Sequence, residues 1–290
     1  MKTVGIVTDS HSGMLISEAN QLGIKVIPMP FFVDGECYYE EVSITIDEFF
    51  EQLSLGKQVS TSQPSPESVM NGWKEALEEY EKIVYIPLSS GLSGACNTAK
   101  MLACEEEFEG KVFVVDNGRI ATPLHRSLLD ALELVKEGYS AEEIKDILEK
   151  CGGEMSIYIA VESLELLKKG GRISATSAAL GTMLNIKPVL RLGTGVLDTY
   201  RKCRGMKKAK KEMIDALKYD LETTFAKYDK NDMYLMAATS ADEETTKEWI
   251  AEIEEAFPGT TVMCDRLTLG ISCHVGAGAL GIGCSFRPKK

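Results

Sequence analysis

A chain of 290 residues, 44% apolar and 26% charged, has the composition of an ordinary globular protein and room for one large core or two smaller ones. Its net charge of −12 excludes a nucleic-acid partner, because no basic stripe is available to neutralise phosphates. No apolar stretch approaches the roughly 20 residues of a spanning helix, and the opening MKTVGIVTDS turns polar too early for a secretory signal, so a cytoplasmic protein is expected.

In chain order, TVGIVTDS (3–10) predicts a short strand ending in turn formers, and SGMLISEANQLG (12–23) a helix stopped by its glycine. IKVIPMPFFV (24–33) reads as extended. Thr45 and Glu48 form a capping box for IDEFFEQLSLG, closed at Gly56. Ser60 to Gln63 make a polar loop before a helix that opens with Ser65 as N-cap, Pro66 at the first position and Glu67 in the first turn. KIVYIPL (82–88) is a buried-type strand, leading through SSGLSGACNT into a helix that runs to about Glu107. KVFVVD (111–116) is another strand, followed by a helix from Pro123 to Lys136. Ser140 and Glu143 box the next helix, which ends near Gly152 and Gly153. Strands alternating with crossover helices imply a mainly parallel sheet covered on both faces.

The second half differs. MSIYIAV (155–161), IKPVLRLGTGVLDTYRK (186–202), DMYLMAAT (232–239), TTVMCDRL (260–267) and GIGCSF (281–286) are strand candidates, and LGTGVL (192–197) has the form of a hairpin turn. Helices are expected over 174–184, 206–228 and 241–256, the last capped by Ser240 and Glu243; the basic run KKAKK (207–211) is read as a solvated face. The expected architecture is therefore α/β over residues 1–152, with a mainly parallel sheet, and α+β over 153–290, with a mainly antiparallel one.

Several stretches can carry chemistry. SSGLSGACNT joins a strand to a helix mouth through small residues, where free N–H groups and the macrodipole favour an anion. Ser93 stands at that mouth and Gly94 permits close approach, although a helix cap alone would also account for Ser93. Thr61 and Ser62 precede another helix in the same half. Asp9 and Ser10 lie in a third such turn, where the structural role of holding the loop is favoured for Asp9. In LKKGGRISATSAALGTMLNIKPVLRL (167–192), Arg172 follows a glycine break, and Ala175, Ala178, Ala179 and Gly181 give the next helix a face on which a long ligand or another helix can lie. ISCHVGAGALGIG superficially suggests a dinucleotide loop but has no room for the βαβ unit. Its His274 can donate to a carboxylate or serve as a core histidine. With three histidines (His11, His125, His274) and eight scattered cysteines lacking any C-x-x-C, no metal site and no cofactor are expected, and the cysteines are read as reduced.

GIVTDS, STSQPSP, LSSGLSG, VVD (114–116), LKKGGRIS…GTMLNIKPVL and HVGAGALGIG occur in that order, and together they resemble the DegV family of fatty-acid-binding proteins, which includes the FakB-type partners of bacterial fatty acid kinase. The resemblance spans essentially the whole chain. It implies a two-domain, non-enzymatic protein holding one long-chain fatty acid, such as palmitate, stearate or oleate, between its domains. The carboxylate would be bound by Thr61, Ser62, Ser93 and Gly94, with His274 nearby and Arg172 as a further candidate. It also implies presentation of that carboxylate to a separate fatty acid kinase, docking through Arg204, with Arg201 as the second match. DSHSG, NGRIATPLHR, Ala95 and Ala277 depart from the family pattern. The competing class is a serine esterase or thioesterase using Ser93 and His274; GLSGA lacks the last glycine of G-x-S-x-G, and no acid stands out to orient the histidine.

Overall fold

The computed structural model describes residues 2–178, 186–193 and 196–289. β1 (Lys2–Asp9) buries Val4 to Asp9 without interruption, as a strand covered on both faces must. After a 3-10 turn come α1 (Ile16–Leu22) and β2 (Ile24–Ile27). β3 (Phe31–Val33) and β4 (Glu36–Tyr38) form a hairpin through Asp34 and Gly35, both at positive φ (50° and 88°), as an Asp-Gly hairpin turn requires. α2 (Ile46–Ser54) opens with both halves of its capping box made, then β5 (Val59–Thr61) leads to α3 (Pro66–Glu79), whose cap Ser65 accepts from Ser68 N–H. β6 (Tyr80–Ile86), α4 (Ala95–Leu102), β7 (Val112–Val114), α5 (Ala121–Lys136) and α6 (Ala141–Lys150) follow.

The remaining elements are β8 (Met155–Ala160), α7 (Glu165–Gly170), α8 (Ala175–Ala178), β9 (Ile186–Leu192) and β10 (Leu197–Arg204), then α9 (Met206–Glu222), β11 (Met233–Thr239) and α10 (Glu243–Ala256). β12 (Val262–Arg266), α11 (Leu269–Val275) and β13 (Leu280–Phe286) complete the chain. Three sheets result. β2-β1-β6-β7 is parallel throughout; β10-β9-β8-β13-β11-β12 is antiparallel except for β11 and β12; β4-β3-β5 is a small antiparallel sheet. This is the mixed α/β architecture expected from the alternation of elements, with a parallel sheet first and a mainly antiparallel one after it.

Helices cover both faces of the first sheet, one set with Val84, Leu124 and Leu128, the other with Ile83, Trp73 and Phe108. The second sheet packs α9 and α10 on one face around Trp249 and Met213. Its other face, with Ile159, Leu190 and Ile271, turns toward the first half and meets Ala121 of α5. Thr122 donates a hydrogen bond of 2.7 Å to the carbonyl of Ala237, tying α5 directly to β11.

Some expectations need correction. Val59–Thr61 is a strand, paired with β3, rather than part of a loop. The helix after the serine turn stops at Leu102, short of Glu107. α10 is capped by Asp242, which accepts from Thr245 N–H at 2.8 Å. Ser240 instead donates to Gly276 O at 2.6 Å, so the nearer carboxylate takes the capping position. In the basic run, Lys210 is buried against Trp249 and paired with Glu252 at 2.9 Å, not solvated. α9 ends at Glu222, short of the expected 228. Of the helix expected over 174–184, Ala179 and Gly181 lie outside the described residues, as do Thr194 and Gly195 of the hairpin turn, though β9 and β10 pair antiparallel as expected.

Candidate functional site

A cavity runs between the inward face of the second sheet and the loops of the first half. Six polar side chains gather at one end, delivered by five separate segments. β5 ends in Thr61 and the exposed Ser62, and the turn after β6 supplies Ser93. α11 contributes His274, while α7 ends at Gly171, whose φ of 69° turns the chain so that Arg172 faces the cavity. His11, in the 3-10 turn after β1, is the sixth.

Contacts fix this cluster. Thr61 Oγ1 and His274 Nε2 are 2.9 Å apart. The imidazole lies so close to Gly170 that a Cβ there would be 2.1 Å from Nδ1, which is why a glycine stands before the αL residue. Arg172 donates from Nε to Leu92 O at 3.2 Å and from Nη1 to Gly170 O, leaving Nη2 without a partner among the described residues. The 60–63 and 89–98 loops meet where Thr98 donates to Gln63 Oε1 at 3.2 Å.

The serine turn is more self-contained than its composition suggests. Ser90 N–H goes to Asp116, Gly91 N–H to Ser89 Oγ, and the amides of Leu92 and Ser93 to Ser89 O. Ala95 N–H goes to Ser93 Oγ at 3.2 Å. From Ser89 to Ala95, only Gly94 keeps a backbone N–H without an internal acceptor among the described residues. Gly94 itself does not line the cavity; it sits at the mouth of α4, where a Cβ would stand 3.0 Å from Gln63 Oε1. Asp9 has the structural role: its carboxylate accepts from the amides of His11 (2.9 Å) and Leu88 (2.8 Å), and burial pushes it up to about 6.

The electrostatics favour an anion. Burial, then the nearby Arg172 cation, lowers His274 to about 4. Burial first, then His274 and Arg172, lowers His11 to about 3. Both rings are therefore neutral near pH 7, and among the described residues Arg172 is the one fixed charge lining the cavity and no carboxylate lines it. In a chain of net charge −12, that is a local inversion of sign.

Away from this end the wall is apolar: Leu88, Leu92 and Ile120 from the first half, Ile157, Ile159, Met236 and Ala238 from the second sheet. Gly281 and Gly283 place bare backbone of β13 against it. The space open to a water's centre is about 120 Å³; at roughly 10–15 Å³ per water, it is several times what a single water needs. Ala121 adopts φ of 53° where α5 begins at the cavity wall, an uncommon conformation for a residue with a Cβ.

His11 and the apolar wall are not marked as functional by the sequence. His11 occupies the same strand–turn–helix position as Ser93, and that parallel is the available clue. Arg204 and Arg201 lie elsewhere, on edge strand β10. Arg204 borders a surface groove with Lys207, Lys208 and Lys211, and Arg201 pairs with Glu212 at 3.4 Å. The geometry does not form a hydrolase pair. Ser93 Oγ is engaged by Ala95 N–H and His274 Nε2 by Thr61, and no carboxylate orients His274 Nδ1. Among the described residues no cluster of metal-ligating side chains occurs, and no helix is long and apolar enough to cross a membrane.

Comparison with known proteins matches residues 3–287 to a family described as uncharacterised proteins of the DegV family. A DegV domain-containing protein of Deinococcus radiodurans is 34% identical over 214 residues, 73% of this chain and 75% of that one. The chain is also similar to the DegV family protein of Thermus thermophilus described for fatty acid binding: 32% identity, TM-score 0.86, coverage 98% and 99%. DegV of Bacillus subtilis, a fatty acid binding protein, is 27% identical with TM-score 0.83 and coverage 99% and 100%.

Proposed function

The chain belongs to the DegV family, and from that premise and the chemistry of the cavity we propose that it is a cytoplasmic carrier of one long-chain fatty acid, held between the halves 1–152 and 153–290. The observation that carries this reading is an apolar cavity ending at a guanidinium and three hydroxyls, the guanidinium being the one fixed charge and no acid lining it among the described residues. A carboxylate leaving water needs such donors or it would be protonated instead. Arg172 supplies the charge, Thr61, Ser62 and Ser93 supply hydroxyls, and the ring of His274 borders them. Each buried CH₂ contributes roughly 0.8 kcal/mol, so a tail of about fourteen supplies on the order of 11 kcal/mol before association and ordering costs. The tail gives affinity and the head gives direction.

The same reading extends to a partner. The carboxylate at the cavity mouth is held for a separate fatty acid kinase, with Arg204 and its lysine neighbours as the docking surface; the protein itself catalyses nothing. The test is direct. The purified protein is denatured and the released small molecules are identified by mass spectrometry, and emptied protein is titrated with palmitate, stearate and oleate. Stoichiometric release or uptake of one fatty acid is expected. Neither release nor uptake, or turnover of an activated acyl ester that depends on Ser93, defeats the proposal.

A further inference from the structure

The small sheet β4-β3-β5 comes from the first half of the chain but packs on α11 of the second, where Phe31, Val33 and Phe49 meet Leu269 and Cys273. Two polar bonds fasten this contact. Thr61 binds His274 in the last turn of α11 at 2.9 Å. At the helix's other end, Glu40 Oε2 accepts from Leu269 N–H at 2.9 Å. Glu40 replaces the cap that Thr268 fails to give. Thr268 holds the N-cap position without a side-chain bond, and its hydroxyl is buried and unpartnered. The turn so held is the one that builds the cavity. A Cβ on Gly270 would lie 2.5 Å from His11 Nε2, and Ile271 lines the wall.

Thr61 and Ser62 stand on one side of this contact, and Ile271 and His274 on the other. A ligand between them is enclosed only while sheet and helix stay together. We propose that Glu40 is a positioning residue and a proton-sensitive clamp: its carboxyl group seats the first turn of α11 against the small sheet, more firmly when protonated than when ionised. The clamp rests on the fatty-acid reading for its ligand, though not for its geometry.

The charged and titratable groups facing Glu40 are Glu41 beside it, Arg266 of β12 and Cys273 of α11. Burial dominates and raises the carboxyl from 4.5 to about 7; the Leu269 amide opposes it, Glu41 adds to it and Arg266 opposes it. Cys273, pushed up to about 12 by burial and then by Glu40, stays a neutral thiol throughout. The seated carboxyl therefore keeps its proton to about pH 7, while a released one loses it near 4.5. Seating takes up a proton in that window. It is firmest at the acid end, weakens as pH rises toward 7, and is constant above.

Glu40→Gln keeps the size and a carbonyl acceptor without the titration; Glu40→Ala removes the bond. Oleate affinity and the unliganded thermal midpoint are measured for both variants and wild type from about pH 5 to about pH 8. Taking ratios to wild type cancels the ligand's own titration. Glu40→Gln is expected to match wild type at the acid end and to bind about tenfold more tightly at the alkaline end, with a higher midpoint only there. Glu40→Ala is expected to bind more weakly throughout. A Gln-to-wild-type ratio that does not change with pH overturns the proton sensitivity, and an Ala variant equal to wild type overturns the positioning role. Failure of every form to take up oleate sinks the fatty-acid reading instead, and the midpoints still decide the clamp.

Discussion

The two ends of the cavity are built by opposite means. At the mouth, six side chains arrive from five separate segments, and the bonds of Thr61, Ser93 and Arg172 to their neighbours hold them in place. Along the tail, three neighbouring strands of one sheet face Leu88 and Ile120 of the first half, and what matters is how little side chain those strands present at Ala238, Gly281 and Gly283. A mouth of this kind fails by losing a particular atom, whereas a tail of this kind fails by being filled. Removing one contact from the wall costs a fraction of the many small terms that hold a chain, while adding bulk removes the channel.

The largest expected effect follows from that contrast. Ala238→Phe projects a ring from β11 into the channel, and oleate affinity is expected to fall at least about a hundredfold, near 3 kcal/mol. Ile157→Val on the same wall should shift it only about twofold. Titration calorimetry, with circular dichroism to confirm the fold, measures both. Equal effects for the two variants would mean that the tail is as sensitive to a lost contact as to added bulk. Next comes Arg172→Met, which keeps the aliphatic stem and removes the charge. A charged hydrogen bond is worth about 1.5–3 kcal/mol, so carboxylate affinity should fall roughly ten- to a hundredfold. The methyl ester of the same acid should bind variant and wild type alike. An ester that also loses affinity would mean that Arg172 shapes the cavity rather than meeting charge.

The same contrast governs what the sequence makes legible. Thr61, Ser62 and Ser93 stand in polar stretches that lead into helices, which marks them as candidates while a cap or an ordered turn explains them equally well. The family resemblance is what joins them into one carboxylate site, and the alternation of strands and helices locates the parallel sheet. The wall cannot be read in this way. Met236 and Ala238 alternate with residues of the opposite face as any half-buried strand does, and nothing local says that their face meets a channel rather than a packed core. The GAGALGIG run fails as a dinucleotide loop, and the purpose of Gly281 and Gly283 emerges only where β13 lies between β8 and β11. Glu40 is invisible in the sequence for another reason: its partner Leu269 is 229 positions away, and a cap supplied at that distance leaves no mark near the helix it serves. Asp116 is similar, since its hold on Ser90 N–H and Lys100 depends on β7 lying beside β6.

The smallest predicted effect falls on the residue whose two roles the sequence leaves open. The N-cap of α4 is Gly94, not Ser93, but Ser93 Oγ accepts from Ala95 N–H at 3.2 Å. It therefore braces the turn into α4 whether or not a ligand is present, and Ser93→Ala should lower stability by about 1 kcal/mol through the lost hydrogen bond. That bond uses a lone pair and leaves the hydroxyl proton free, on a side chain that lines the cavity beside Leu92, whose carbonyl holds Arg172. If the proton is given to a carboxylate, the variant loses a second, separate amount, about 1 kcal/mol or fivefold in affinity. Chemical denaturation of the empty protein measures the first quantity and ligand titration the second. Ser93→Thr should restore both, because it keeps the oxygen and its proton. A variant that loses stability and keeps full affinity would confine Ser93 to bracing the turn, leaving Arg172, Thr61 and Ser62 to hold the head group without it.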